Sequence, residues 1–213
     1  DRKIEMNNFE KTVICMDKAN IFFKERGYAP TVTYVHQGFD YSDAGNANTR
    51  VPTFDEYRNQ NLLSLILGGK GLMHYNRGIL NYPELYLGMP YLAKEQHVIG
   101  NEAIIEDDAT APVTDVTPGL RVLAKHNATS GAYWVLVCNT SRESKNFSFR
   151  FAPFAGQEIK VFCEKRMLKV KDGSVIDRFT PFQVHVYTTD QRDFGLKDLP
   201  AIRREIQLVY EKR

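Results

Sequence analysis

The sequence predicts two architectures in succession, an α/β half followed by an all-β half. Three observations lead there. Helix and strand patterns alternate up to about residue 105, and seven short strands with a period of two follow. The 213 residues are 43% apolar and 25% charged, the profile of a folded chain long enough for one large domain or two small ones.

Phe9, Val13, Met16, Asn20 and Phe23 recur at helical spacing, and Gly27 stands where a left-handed C-terminus is wanted. That predicts one amphipathic helix over 8–26. Thr31-Val-Thr-Tyr-Val-His36 is β-branched and aromatic throughout, and predicts a buried strand whose exit (Gln37, Asp40, Tyr41, Asp43) is polar. A loop rich in Gly, Asn and Asp over 42–52 leads to Thr53-Phe-Asp-Glu56, the spacing at which Thr53 caps the amide three residues on and Glu56 reaches back. The helix so started runs through Leu62 to Leu67 and stops at Gly68-Gly69. Gly71-Leu-Met-His-Tyr75 predicts a second short strand, again with a polar exit, Asn76 and Arg77. Pro83 and Pro90 introduce a last helical segment ending near Ile99. This is the order of parallel βαβ construction, yet two parallel strands leave faces and edges that need cover. Part of the layer is therefore expected from elsewhere.

Strands are predicted at Leu120–Lys125, Tyr133–Cys138, Asn146–Phe151, Glu158–Cys163, Met167–Lys171, Ser174–Phe179 and Phe182–Tyr187. Turn signals such as Asn127-Ala-Thr-Ser-Gly131 and Lys171-Asp-Gly173 join them, as in an antiparallel sandwich. His185 alternates with Val184 and Val186 and is expected to face out of the sandwich core. Asp198-Leu-Pro predicts a cap for a terminal or linker helix reaching Val209.

Composition narrows the function classes. Lys and Arg number 28 against 26 Asp and Glu, a net charge of +2, and no helix face gathers basic residues with interleaved aromatics, so nucleic acid is not an expected partner. The longest apolar runs, such as Tyr133–Cys138, fall far short of the roughly 18 residues of a membrane span. Cys15, Cys138 and Cys163 lack CxxC spacing, which argues against a disulfide scaffold or a zinc site and predicts three small buried hydrophobes. No GxSxG, P-loop or GxGxxG occurs, and Gly68-Gly-Lys-Gly71 is better read as a helix stop than as a phosphate cradle. No cofactor is expected. Three glycosylation sequons, at Asn127, Asn139 and Asn146, fall in predicted turns or strand starts and weigh toward a secreted or periplasmic protein. A chain that opens on Asp rather than Met is expected to have been cut from something longer.

The order of parts resembles a known family. His36-Gln-Gly-Phe39, the Thr53–Arg58 helix start and the apolar run into Gly68–Tyr75 are similar to the last two βα units of bacterial (β/α)8 glycoside hydrolases. Phe179-Thr-Pro-Phe-Gln-Val-His-Val-Tyr187 resembles the close of the C-terminal β-sandwich that follows the barrel in those enzymes. The resemblance implies a partial TIM-type barrel over 1–105, an antiparallel sandwich over 106–190 and a helix or linker over 191–213, with the first six barrel strands absent. It also implies an oligo- or polysaccharide partner and the missing part of the barrel in the same protein.

In such a barrel the active site lies at the C-terminal ends of the strands. There the chain offers Asp40 as its candidate catalytic carboxylate, and His36, Gln37, Tyr41, His74, Tyr75 and Arg77 as a sugar-binding wall. Glycoside hydrolysis needs two carboxylates across the scissile bond. The resemblance implies a nucleophilic Glu after strand seven, where this sequence has Gln37 and then Asp40, so a complete pair is not visible. Glu56 is expected to serve the Thr53 cap, and Arg58 a structural ion pair. His36 and His74 lie at similar depth on separate strands with no third ligand, so a metal is not expected.

Two other readings remain open. One is a non-catalytic carbohydrate-binding or structural module. The other is a complete small α+β protein whose βα units pair antiparallel with the sandwich, which the strong preference for parallel crossovers disfavours.

Overall fold

The computed structural model describes residues 3–29, 31–40, 45, 50–76 and 78–212. α1 (Lys3–Glu25) precedes β1 (Thr33–Gly38), and α2 (Phe54–Ile66) leads to β2 (Gly71–Asn76). α3 (Pro83–Tyr86) and α4 (Gly88–Ile99) follow, and α4 runs on into a π-helical turn over Gly100–Ile104. β1 and β2 pair in parallel, from Thr33 opposite Gly71 to Gly38 opposite Asn76.

α2 begins as its sequence dictates. Thr53 Oγ1 accepts the Glu56 amide at 3.2 Å, and Glu56 accepts the Thr53 amide at 2.8 Å. Glu56 also pairs with Arg50 at 2.8 Å. The helix ends at Gly68, whose φ of +96° is a conformation that side-chain-bearing residues rarely adopt. Gly71 serves close approach instead, since a Cβ there would lie 2.7 Å from Thr33 Oγ1 on the paired strand.

The second half contains the seven predicted strands: β4 (Leu120–His126), β5 (Tyr133–Asn139), β6 (Lys145–Phe151), β7 (Gln157–Val161), β8 (Arg166–Val170), β9 (Ser174–Phe179) and β10 (Val184–Thr188). The two-residue β3 (Val113–Thr114) is too short to carry a periodicity and went unpredicted. The strands form a five-stranded antiparallel sheet, ordered β4-β5-β10-β7-β8, over a three-stranded one, β3-β6-β9. Phe147, Phe149, Phe151, Ile159 and Tyr187 fill the space between them.

The outer face of the larger sheet is covered too. Trp134, Leu136, Val184 and Val186 pack on Phe9 and Met16 of α1, Leu62 to Leu67 of α2, and Ile99 and Ala103. One core therefore spans both sides of residue 105. α2 lies between the β1–β2 pair and the five-stranded sheet, and nine of its residues are buried. α5 (Leu199–Glu211), capped by Asp198 through the Ala201 amide at 2.8 Å, folds back so that Leu199, Ile202 and Ile206 meet Phe54, Leu85 and Tyr91.

Two polar networks sit inside this packing. Arg58 on α2 forms a bidentate pair with Glu95 on α4 at 2.8–3.0 Å, and its remaining Nη1 donates to the Val184 carbonyl of β10 at 3.0 Å. The two side chains are only 3% and 0% exposed. Burial opposes the charge on Arg58, but Glu95 beside it outweighs burial and holds the guanidinium above its ordinary pKa. The second network corrects the expectation for His185. With Val184 and Val186 turned to the helices, His185 points into the sandwich, where it is buried against Phe179 and meets Glu164 at Nδ1 and the Arg178 carbonyl at Nε2. Arg166 bridges Glu164 and Asp177, and the Tyr187 hydroxyl donates to Asp177 at 2.9 Å. Burial pushes the Glu164 and Asp177 carboxyls up, but the bonds from His185 and Arg166 respectively prevail and hold both below the usual carboxylate range.

Other expectations fail for identifiable reasons. Cys15 is exposed, because the inward stripe of α1 is Phe9, Thr12 and Met16. Two sequon asparagines are buried and engaged, Asn127 with Glu102 and Asn139 with the Glu143 and Thr180 carbonyls, which leaves Asn146 as the exposed one. Among the described residues β1 and β2 pair with each other and not with the sandwich sheets, against the antiparallel pairing that the small α+β reading expected.

Breaking the buried pair from one side strands a charge. Arg58→Met or Glu95→Leu alone should lower unfolding stability by about 3–5 kcal/mol, read from urea midpoints, while the double variant recovers most of it.

Candidate functional site

The candidate site lies where β1 and β2 end. The register places His36 opposite His74 and Gln37 opposite Tyr75. Strand alternation then divides the residues between two faces. Val35, Met73 and Tyr75 lie on the face away from α2 and are 56%, 58% and 64% exposed. Tyr34, His36, Leu72 and His74 take the opposite face, toward α2.

This divides the expected wall. Tyr75 remains on the open side, with its ring edge-on to buried Phe39 at 5.4 Å between centroids. His36, only 1% exposed, instead meets Ser64 of α2, Nε2 to Oγ at 3.1 Å, and does not reach the open face. His74 lies beside it at 5.9 Å and against the Tyr57 ring at 4.9 Å. The structure thus brings the two histidines together, as their matched depth suggested, but under the strands. Asp40 follows β1 by two residues and is buried at 8% exposure. Tyr41, Asp43 and Arg77 lie outside the described residues, and Gln37 is placed by its backbone alone.

The polar patch under the strands was missed by sequence reasoning. Tyr57, Asn61 and Ser64 fall on one face of α2 at spacings of four and three, a polar stripe within an apolar run that could have been read as one. Both amide atoms of Asn61, the Tyr57 hydroxyl and Nδ1 of each histidine are buried with no protein partner. Burial, aided by the neighbouring His74, pushes the His36 pKa down to about 3, and burial lowers His74 as well. Both rings are therefore neutral at pH 7 and suited to hydrogen bonding rather than to charge. Among the described residues no group of three His, Cys, Asp or Glu side chains could hold a metal ion. Cys138 and Cys163 are poor nucleophiles, because burial raises both thiols, Cys163 to about 12 with Glu95 adding to the effect.

No family model matches the sequence, and no curated protein matches it. Solved structures do. A GH27 β-L-arabinopyranosidase from Geobacillus stearothermophilus, in complex with arabinose, superposes with a TM-score of 0.57 at 14% identity, over 84% of this chain and 42% of its own. The wild-type form of that enzyme gives a TM-score of 0.55 at 14% identity, over 88% of this chain and 42% of its own. The chain spans less than half the length of the structures it matches. What it shares with them is a glycoside-hydrolase-like fold.

His36 stays neutral in the fold and becomes charged when the chain unfolds, so stability is complete above about pH 6.5 and falls as the pH drops toward 3. Urea midpoints at pH 7 and pH 5 should show this loss in the parent chain and a smaller one in His36→Phe. That window lies above the range in which Glu164 and Asp177 titrate.

Proposed function

We propose that this chain is the C-terminal part of a carbohydrate-active (β/α)8 protein, with β1 and β2 as two barrel strands whose C-terminal ends form one wall of a sugar cleft. The observation that carries the reading is the bare face of the β1–β2 pair. Two parallel strands with helices on one side and exposed Val35, Met73 and Tyr75 on the other have the form of a barrel lining without the rest of its barrel. The glycoside-hydrolase-like fold supports the same placement. On this reading the exposed stripe Ile14, Ile21 and Phe22 of α1 is the seam against the preceding βα unit.

In the cleft, Tyr75 offers an aromatic face for a sugar ring, and Gln37, Tyr41 and Arg77, at or near the same strand ends in sequence, are the proposed donors and acceptors for its hydroxyls. Asp40 is the carboxylate that this wall contributes. His36 and His74 act from below, fixing the strands on α2 through Ser64 and Tyr57. The partner of Asp40 across a glycosidic bond comes from strands that this chain does not carry. That Asp40 is the one carboxylate among the described residues of this wall also favours a second reading, in which these residues bind sugar without cleaving it.

A panel of nitrophenyl glycosides, including arabinopyranosides and galactopyranosides, separates the two. Turnover is expected from a chain extended upstream with further βα units and not from residues 1–213 alone. No turnover by the extended chain would leave the binding reading. In the active protein Asp40→Asn should lower kcat by at least about a hundredfold; an unchanged rate would remove Asp40 from the chemistry.

The bare face has its own signature. The chain should enhance the fluorescence of an apolar dye such as ANS, and Val35→Lys with Met73→Lys should reduce that signal with the circular dichroism spectrum unaltered. An undiminished signal would show that the dye reports another surface.

A further inference from the structure

A groove of about 700 Å³ opens at the end of the sandwich where the β4–β5 turn, the start of β7 and the exit of β10 converge. We propose that it is a second sugar-binding site, one that takes a neutral mono- or disaccharide. The volume lies within the usual range of small-ligand sites. Choosing a sugar over other neutral polar ligands rests on the carbohydrate reading above; the site itself does not.

Its walls are built by buried polar side chains. Asn127 fixes one rim, its Oδ1 accepting the Thr129 and Ser130 amides at 3.0 and 2.9 Å. Asp190 fixes the other, accepting both the backbone amide and the guanidinium of Arg192. Glu102, from the π-helical turn behind the groove, joins the rims: its carboxylate accepts Asn127 Nδ2 at 3.0 Å and Arg192 Nη2. The groove therefore does not depend on a ligand to take shape, which lowers the ordering cost of binding.

The lining selects for charge and polarity. Arg192 is the one cation among the described lining residues, and Asp190 and Glu102 already match it, which leaves no free positive charge for a phosphate or sulfate. Besides that matched cluster, the polar side chains of the lining are neutral donors and acceptors, among them the hydroxyls of Thr129 and Tyr133 and the amides of Gln157 and Gln191. Gln191 Nε2 donates to the Glu158 carbonyl, leaving its own carbonyl oxygen to accept. Half-buried Tyr133 is stacked on His126 at 4.6 Å and edge-on to Phe151 at 5.5 Å, so this lining ring is held rigid. A rigid aromatic beside paired hydroxyl and amide groups matches the alternating apolar faces and hydroxyl rims of a sugar.

Titration of the 15N-labelled chain with L-arabinose, D-galactose and, separately, sulfate tests this. At least one sugar should shift the amides of residues 129–133, 157 and 189–192 saturably, and Gln157→Ala with Gln191→Ala should weaken that binding about tenfold. Sulfate should leave the same amides in place. Absence of saturable sugar shifts in the groove, sugar binding unaffected by the double substitution, or equal shifts with sulfate would each overturn the proposal. Shifts at Phe39, Asp40 and Tyr75 are read in the same spectra. Sugar shifts there but not in the groove would sink this site alone, and the reverse would uphold it while counting against the β1–β2 cleft.

Discussion

The arrangement turns on the buried Arg58 guanidinium. It is bound by Glu95 on one side and by the Val184 carbonyl on the other, so α2, α4 and β10 meet at one planar group. α2 is buried along most of its length, nine of its residues being enclosed, and packing alone would not fix its rotation about its axis. The guanidinium fixes that rotation, because five donors in a rigid fork fit their acceptors in one orientation. With α2 fixed, Ser64 and Tyr57 face β1 and β2, and the opposite leucines face Trp134 and Leu136. The place of the candidate site thus depends on a charge whose partners, Glu95 and Val184, are well removed from it in sequence.

Much of the fold was legible in the sequence, and the reason is local. The Thr53 capping box, the stop at Gly68 and the alternation in β5 and β9 are set by neighbours within a few residues, and the structure contains them as read. The failures share a different cause. His185 and Cys15 were placed by the periodicity of their own segments, but burial on both faces of β10 and the choice of stripe on α1 are decided by layers hundreds of atoms away along the chain. A strand buried on both sides loses the alternation that would report which side is which.

The candidate site shows the same limit more sharply. Sequence could say that His36 and His74 share a depth, which the register confirms, but a shift of one residue moves a side chain from cleft to helix layer. Tyr75, one position on, lies on the open side. The polar stripe Tyr57, Asn61 and Ser64 could have tipped the decision, since it gives imidazoles a reason to turn inward. No pattern within the chain could have announced the groove beside Glu102, which exists only because the β4–β5 turn, the start of β7 and the exit of β10 converge.

β10 is the last strand in chain order, yet it lies in the middle of the large sheet, between β5 and β7. Until it is in place, β4–β5 and β7–β8 are two separate hairpins with unpaired inner edges. The sheet is therefore completed from the C-terminal side, at high sequence separation, as residues 184–188 insert between strands made some 30 to 50 residues earlier. During synthesis the nascent sandwich would carry two exposed edges until nearly all of it had emerged. Capture of that one strand both closes the sheet and delivers the Val184 carbonyl to Arg58.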